Sequence, residues 1–182
     1  MSEQSQELIL SRLMQYKGEI KDKIENSKTF FLFLGNAMEL LGNYIEREDD
    51  TRVDALGIFD IYSLRHAPRR FNTLIQAKFN DITLLSYTSR FAETFGISED
   101  MAMAKVEIGT GSCPDTKLEG ICTDNLIATY MLGPILVANP DFSKWLLKKL
   151  GVNEPVLPFE DALYESYEAK RKEFQRPDLA LD

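Results

Sequence analysis

The chain has 182 residues, 44% of them hydrophobic and 27% charged, which is the ordinary balance of one globular domain with a buried core. Its net charge of −8 and pI of about 4.8 argue against nucleic acid as a partner, because covering a phosphate backbone takes clustered Lys and Arg. No apolar run approaches the roughly 20 residues that span a bilayer, and Met1 to Glu7 is polar and acidic rather than leader-like, so no membrane span and a cytoplasmic location are expected.

In chain order, Leu8 to Asn26 places Ile9, Leu13, Tyr16, Ile20 and Ile24 at spacings of three and four, which predicts an amphipathic helix. "TFFLFLGNAMELLGNYI" then predicts a buried strand over Phe30 to Leu34, a tight turn at Gly35 and Asn36, and a helix from Ala37 to between Tyr44 and Arg47. Glu46 to Asp50 reads as a solvated turn. From Gly57 the pattern becomes strand-like in "GIFDIYSL", "FNTLIQAKF", "ITLLSY" and "AKVEI", with His66 and "RHAPRR" in a hairpin turn between the first two. Gly109 to Gly120 is dense in Gly, Ser, Pro and Asp and predicts a loop, with a strand following through "NLIATYML". Asn139 is an expected N-cap, Pro140 a first helical residue and Gly151 a C-cap, with Leu146 and Leu150 on one face. Pro155 and Pro158 break the chain before a last helix, roughly Glu160 to Glu173, and the end from Pro177 is expected to fray.

The strand, turn and helix around Gly35 form an elbow of the kind that lifts a nucleophile above the end of a parallel sheet, yet its apex carries no Ser, Cys or Thr. Taken with "LGIFDIYSLR" and "EGICTDNLIATYMLGPILVANPDFSKWLL", the order of segments resembles the class-I glutamine amidotransferases of the cobyric acid synthase type. Within them it is most similar to the glutaminase subunit of lipid II isoglutaminyl synthase, which pairs with a Mur-ligase-like subunit. Leu40, Leu41, Gly42, Thr129, Tyr130, Gly133, Pro134, Asn139 and Pro140 carry the match, in order, over nearly the whole chain to about Leu150.

The resemblance implies an α/β, flavodoxin-like class-I amidotransferase domain with a mixed sheet flanked by helices, over residues 1–152, and a C-terminal helical extension over 153–182. It also implies that Met1 begins after an opening pair of βα units, so that the domain is truncated at its N-terminus, its sheet edge is left open, and the chain associates with itself or with a partner.

The chemistry of such proteins needs a thiolate to attack glutamine, a His to move protons and backbone N–H donors for the oxyanion. The flanking residues set Gly35 at the nucleophile's position and Leu132 at the histidine's, and neither has the group required. Asn36, at the turn, and Glu39, where the relatives have a Gln beside bound glutamine, are candidates for holding glutamine or a related amide. The plainer alternative is that Asn36 tolerates the turn's backbone and Glu39 adds negative charge to the helix's first turn.

Cys113 and Cys122, nine apart with no CxxC, support neither a disulfide framework nor a zinc site, and read as reduced structural thiols rather than substitute nucleophiles. His66 reads as a solvated turn residue, and "RHAPRR" and "YEAKRKEF" as solvent-facing charge. "GTGSCPD" lacks the Lys-Ser/Thr of a phosphate loop, so no ATP site, cofactor or metal is implied. The expected function is a non-catalytic subunit associating with a Mur-ligase-like or other amide ligase. The alternatives are an active glutaminase supplying ammonia to a peptidoglycan (lipid II) or cobalamin-type precursor, and a glutamine-sensing module.

Overall fold

The computed structural model describes residues 3–66, 69–176 and 178–179, an α/β arrangement of two mixed sheets flanked by helices. Helix α1 (Glu3–Leu13) runs through a single 3-10 turn (Met14–Tyr16) into α2 (Lys17–Asn26), so the expected helix begins earlier and is interrupted. Its apolar stripe lays Leu10, Leu13, Ile20 and Ile24 against the first core cluster.

Strand β1 (Phe31–Leu34) follows and pairs in parallel with β10 (Leu126–Thr129), Phe31 facing Leu126 and Leu34 facing Thr129. The remaining strands of that six-stranded sheet are β5 (Phe71–Phe79), β6 (Ile82–Arg90), β8 (Ala102–Ile108) and β9 (Leu118–Cys122), in the order β1-β10-β9-β8-β5-β6. β1 is therefore an edge strand. Phe31 and Phe33 turn to the core while Leu32 and Leu34 stay partly exposed, which corrects the expectation of a fully buried strand. β5 and β6 form a nine-pair hairpin around Asn80, whose φ of 51° suits a tight turn.

After β1 the chain makes a 3-10 helix (Gly35–Leu41), not the longer helix expected, and Gly42 ends it. Tyr44 to Glu46 is strand β2, which the helical spacing of its apolar residues had concealed. β2, β3 (Arg52–Asp54), β4 (Tyr62–Arg65) and β7 (Ala92–Phe95) build a second sheet in the order β3-β2-β4-β7. The segment after β4 thus connects two sheets and is no hairpin, because β4 pairs with β2 and β7 while β5 pairs with β6 and β8. Ala67 and Pro68, part of that expected turn, lie outside the described residues.

The loop expected to Gly120 is shorter, since β9 takes up the chain at Leu118. Beyond β10, a short helix α3 (Ile135–Ala138) leads into α4 (Pro140–Lys149), with Pro140 at its start and Gly151, φ 94°, after its end. Asn139 does not cap α4 with its side chain. Its amide is 1% exposed: Nδ2 donates to the Leu85 and Ile135 carbonyls at 3.0 and 2.8 Å, and Oδ1 accepts from Leu85 N at 2.7 Å. The side chain thereby stands in for a further strand on the outer edge of β6. Phe79, Phe142 and Trp145 pack as an aromatic cluster in the second core, Phe79 edge-on to both others. Helix α5 (Glu160–Phe174) docks through Lys144–Glu160 at 2.5 Å and a Tyr167 hydroxyl donated to the Thr83 carbonyl at 2.8 Å. The expected fraying from Pro177 falls largely outside the described residues. Among those described, no helix is long and apolar enough to cross a membrane.

Candidate functional site

The elbow is built by β1 running out at Leu34 and the chain reversing at Gly35 with a φ of +61°. That left-handed conformation lets the next residues turn back beneath the sheet, and glycine adopts it without steric cost. A Cβ placed on Gly35 would lie 3.3 Å from Leu132 Cδ2. Leu132 leaves β10 three residues beyond Thr129 and is held by its backbone, N to the Tyr87 carbonyl at 2.8 Å and its own carbonyl to Ser86 Oγ at 2.6 Å. The two positions singled out from the sequence are therefore adjacent in space, although 97 residues apart in the chain.

Asn36 offers its carbonyl to Gln6 Nε2 at 2.8 Å, which ties the apex to α1. Glu39 points inward and is 1% exposed. Its carboxylate accepts from Gln6 Nε2 at 2.9 Å and from the Tyr130 hydroxyl at 3.3 Å, with Arg65 Nη2 at 3.5 Å. Burial raises its pKa, an effect that these donors and Arg65 only partly offset. The Tyr130 hydroxyl in turn meets Thr94 Oγ1 at 2.7 Å, and Thr94 meets Ser63 Oγ at 2.8 Å, linking the two sheets. Burial and the neighbouring Glu39 push Tyr130 well above the ordinary phenol value, so it stays an O–H donor.

Arg65, expected on a solvated loop, is instead 9% exposed in its side chain and donates to Gln6 Oε1 beside Glu39. Arg69 and Arg70 lie over the rings of Phe71 and Phe91. His66 keeps a side chain 39% exposed, in keeping with its expected contact with solvent, while its Nε2 pairs with Glu93 Oε2 at 3.0 Å and its ring packs edge-on to Phe71. Both thiols are free, and burial raises the pKa of Cys113 and of Cys122. A thiol pushed up in this way is largely protonated near neutral pH and is a poor nucleophile.

Sequence reasoning missed Glu119, a carboxylate with no exposed surface. It accepts from Ser112 Oγ at 2.8 Å, Thr129 Oγ1 at 2.8 Å and Tyr130 N at 2.7 Å, and so fixes the exit of β10 directly before Met131 and Leu132. Its only trace in the sequence is a lone acid inside the run "LEGIC". The arrangement can hold a polar group at a rigid elbow, but it offers neither thiolate nor imidazole there. Among the described residues no group of three His, Cys, Asp or Glu is placed to hold a metal.

An α/β chain whose parallel β1–β10 pair sets a left-handed glycine against the exit of the second strand has the layout of an elbow-type site. Its sequence is 27% identical over 159 residues to the lipid II isoglutaminyl synthase (glutamine-hydrolyzing) subunit GatD of Staphylococcus aureus strain N315, an alignment that covers 87% of this chain and 64% of that protein. It is 26% identical over 165 residues to the subunit of the same name from Streptococcus pneumoniae strain ATCC BAA-255 / R6, covering 87% of this chain and 63% of the relative. These similarities support a relation to that glutaminase subunit, and the chain spans less than two thirds of the length of either relative. No protein-family model matches the chain.

Proposed function

We propose that the chain is an amidotransferase-like subunit in which the covalent route to glutamine hydrolysis is closed, and that it serves as the non-catalytic partner of a Mur-ligase-like or other amide ligase. The observation that carries the reading is the Gly35–Leu132 contact: the apex of the elbow faces the residue where a proton carrier would stand, and the pair is hydrogen and hydrocarbon. Attack on a side-chain amide needs a nucleophile, and collapse of the tetrahedral intermediate needs a proton for the leaving ammonia. Gly35 supplies no atom for the first and Leu132 none for the second. On this reading residues 1–152 form the flavodoxin-like amidotransferase unit of cobyric acid synthase type and 153–182 an extension. Glu39 and Tyr130 then keep the elbow rigid from below, and Asn36 is the remaining polar group at its apex. The similarity to subunits named for lipid II amidation supports a ligase partner of that kind.

Two measurements test this. Ammonia release from glutamine by the purified chain should not exceed background, and alkylating Cys113 and Cys122 should change nothing. Coexpression with the Mur-ligase-like protein of the same genome should give a stoichiometric complex on size exclusion. A glutaminase rate in the unmodified chain, abolished by substituting either cysteine, would establish instead the alternative of an active ammonia-supplying subunit. The Gly35→Cys and Leu132→His changes are expected to restore hydrolysis only together, since a thiol without its base stays largely protonated.

A further inference from the structure

Helix α1 lies against the elbow and meets the body of the protein with two buried side chains, Gln6 and Leu10; among the others described, Leu13 is half-buried and the rest are exposed. Gln6 is 2% exposed, and its carboxamide is engaged at both ends: Nε2 donates to the Asn36 carbonyl at 2.8 Å and to Glu39 Oε2 at 2.9 Å, and Oε1 accepts from Arg65. Asn36 and Glu39 both belong to the 3-10 helix of the elbow, so a single side chain of α1 pins it. Leu10 enters the first core cluster, and Glu7 makes an exposed ion pair with Arg47 that adds little.

The break between α1 and α2 has no local cause. Helix kinks usually sit at Pro, at Gly and Ser, or where a side chain is inserted. Residues 12–17 contain no Pro, Gly or Ser, and Arg12, Leu13, Met14, Gln15 and Lys17 are good helix formers. Yet Met14–Tyr16 is a 3-10 turn with no buried residue, and Tyr16 leaves helical geometry at φ −103° and ψ 6°. The seating of Gln6 and Leu10 accounts for it, because an unbroken helix presents a different face. At about 100° per residue, Ile9, Leu13, Tyr16, Ile20 and Ile24 fall within an arc of about 80°, and Leu10 lies about 40° outside it. In the broken form Ile20 and Ile24 keep this stripe on the core, while Ile9 and Tyr16 are 39% and 50% exposed. The segment thus has two arrangements that share α2: a bent one that seats Gln6 and Leu10, and a straight one that continues the stripe. A 3-10 stretch inside a helix is a common site for such a hinge.

We propose that α1 is a releasable strap: it undocks from the elbow as a unit, Met14–Tyr16 straightens to join α1 and α2 in one helix, and withdrawal of Gln6 unpins Asn36 and Glu39. The Tyr130 hydroxyl stays on Glu39 when the strap leaves, so the elbow loosens rather than unfolds. Its rigidity is thereby set from a hinge outside the elbow, whether or not glutamine is hydrolysed there. Gly18 separates this device from simple fraying of α1. It is the second residue of α2 in the bent form but an interior residue of the straight helix, and a Cβ there meets nothing within 4 Å. Gly18→Ala therefore favours the straight form roughly three- to fivefold, whereas fraying would be indifferent to it.

The test places spin labels on the full chain through Ser11→Cys and Glu48→Cys, both at exposed positions, with Cys113→Ala and Cys122→Ala so that no other thiol is labelled. Pulsed dipolar spectroscopy should give one main distance for the seated strap. Gln6→Ala should add a longer distance and raise the ratio of released to seated strap at least about tenfold, the scale of losing a charge-assisted hydrogen bond in a buried setting. Adding Gly18→Ala should raise that ratio by a further factor of roughly three to five. If Gln6→Ala fails to fold, Leu10→Ala takes its place in both measurements. Hydrogen exchange of the elbow amides, Gly35–Leu41, should quicken in step with the ratio. A single unchanged distance in Gln6→Ala or its replacement, a ratio unmoved or lowered by Gly18→Ala, or elbow exchange indifferent to both would each overturn the proposal. Neither glutamine hydrolysis nor the ligase partner enters these readouts, so the strap and the proposed function stand or fall separately.

Discussion

Gly35 shows how much one residue can decide. Its φ of +61° lies where an L side chain pays roughly 1–2 kcal/mol, and a Cβ there would press on Leu132 Cδ2 at 3.3 Å. Gly35→Ala should therefore lower the free energy of unfolding by about 1–2 kcal/mol, read as a lower urea midpoint with an unchanged slope; an unchanged midpoint would mean that the left-handed turn is not held in solution. The same strain falls on any cysteine introduced there, so a thiol at this elbow is displayed at a cost. Glu39, one turn on, makes a prediction about pH. Its carboxyl is raised above the ordinary 4.5, first by burial, so the folded chain holds that proton more tightly than the unfolded chain does. Its contribution is fully present below about 4.5 and is lost as the pH rises through the higher folded value. Stability measured by urea from acid to neutral pH should decline across that window, and Glu39→Gln, which keeps a polar group but has no proton to lose, should flatten the decline. A profile of unchanged slope in Glu39→Gln would assign the effect to other groups.

At the level of elements, Asn139 joins the helical end of the chain to the sheet. Removing its amide in Asn139→Ala leaves the Leu85 N–H and two carbonyls without partners in a buried setting, so a loss of about 2–4 kcal/mol is expected by urea unfolding. A loss below about 0.5 kcal/mol, the usual scale of a surface change, would show that water replaces the amide and that α4 does not depend on it. This residue also shows what the sequence can and cannot convey. Asn before Pro reads as a cap by local rules, and the backbone obeys them, with Ser143 N donating to the Asn139 carbonyl at 3.0 Å, but the side chain is claimed by a strand 54 residues away. The long elements were legible for the same local reason: β5 and β6 alternate, and α4 and α5 are marked by Pro and Gly punctuation. β2 was not, because Tyr44 and Ile45 continue the spacing of Leu40 and Leu41, and nothing local announces that Gly42 turns the chain into a second sheet. At the elbow, the order of flanking residues singles out Gly35 and Leu132, and the structure sets the two side by side. The inward Glu119, Arg90 and Arg65 were not, since a charged residue reads as surface until a tertiary partner is known.

At the level of the whole molecule, the two margins of the six-stranded sheet are finished differently. The β6 margin carries the Asn139 amide, and Leu132 bridges to Tyr87 farther along it. The β1 margin, among the described residues, has no strand beyond it, and its four residues pair only with β10. Leu32 and Leu34, each 38% exposed, stand on the face away from Phe31 and Phe33, so an open row of backbone N–H and C=O groups runs beside apolar side chains. Natural edge strands are usually blunted by Lys, Pro or a bulge, and "FLFL" has none of these. The expected outcome is association through this edge, with a second copy when the chain is alone and with the proposed ligase partner when that is present. Sedimentation velocity at micromolar concentration should show a concentration-dependent shift above the monomer. Leu32→Lys, which places a charge on the edge without entering the core, should shift the distribution back to monomer, and addition of the proposed ligase partner should compete with self-association. A chain that sediments as a monomer at all concentrations, with the same urea midpoint in Leu32→Lys, would show that the four-residue strand is stable with one side open and that partners dock elsewhere.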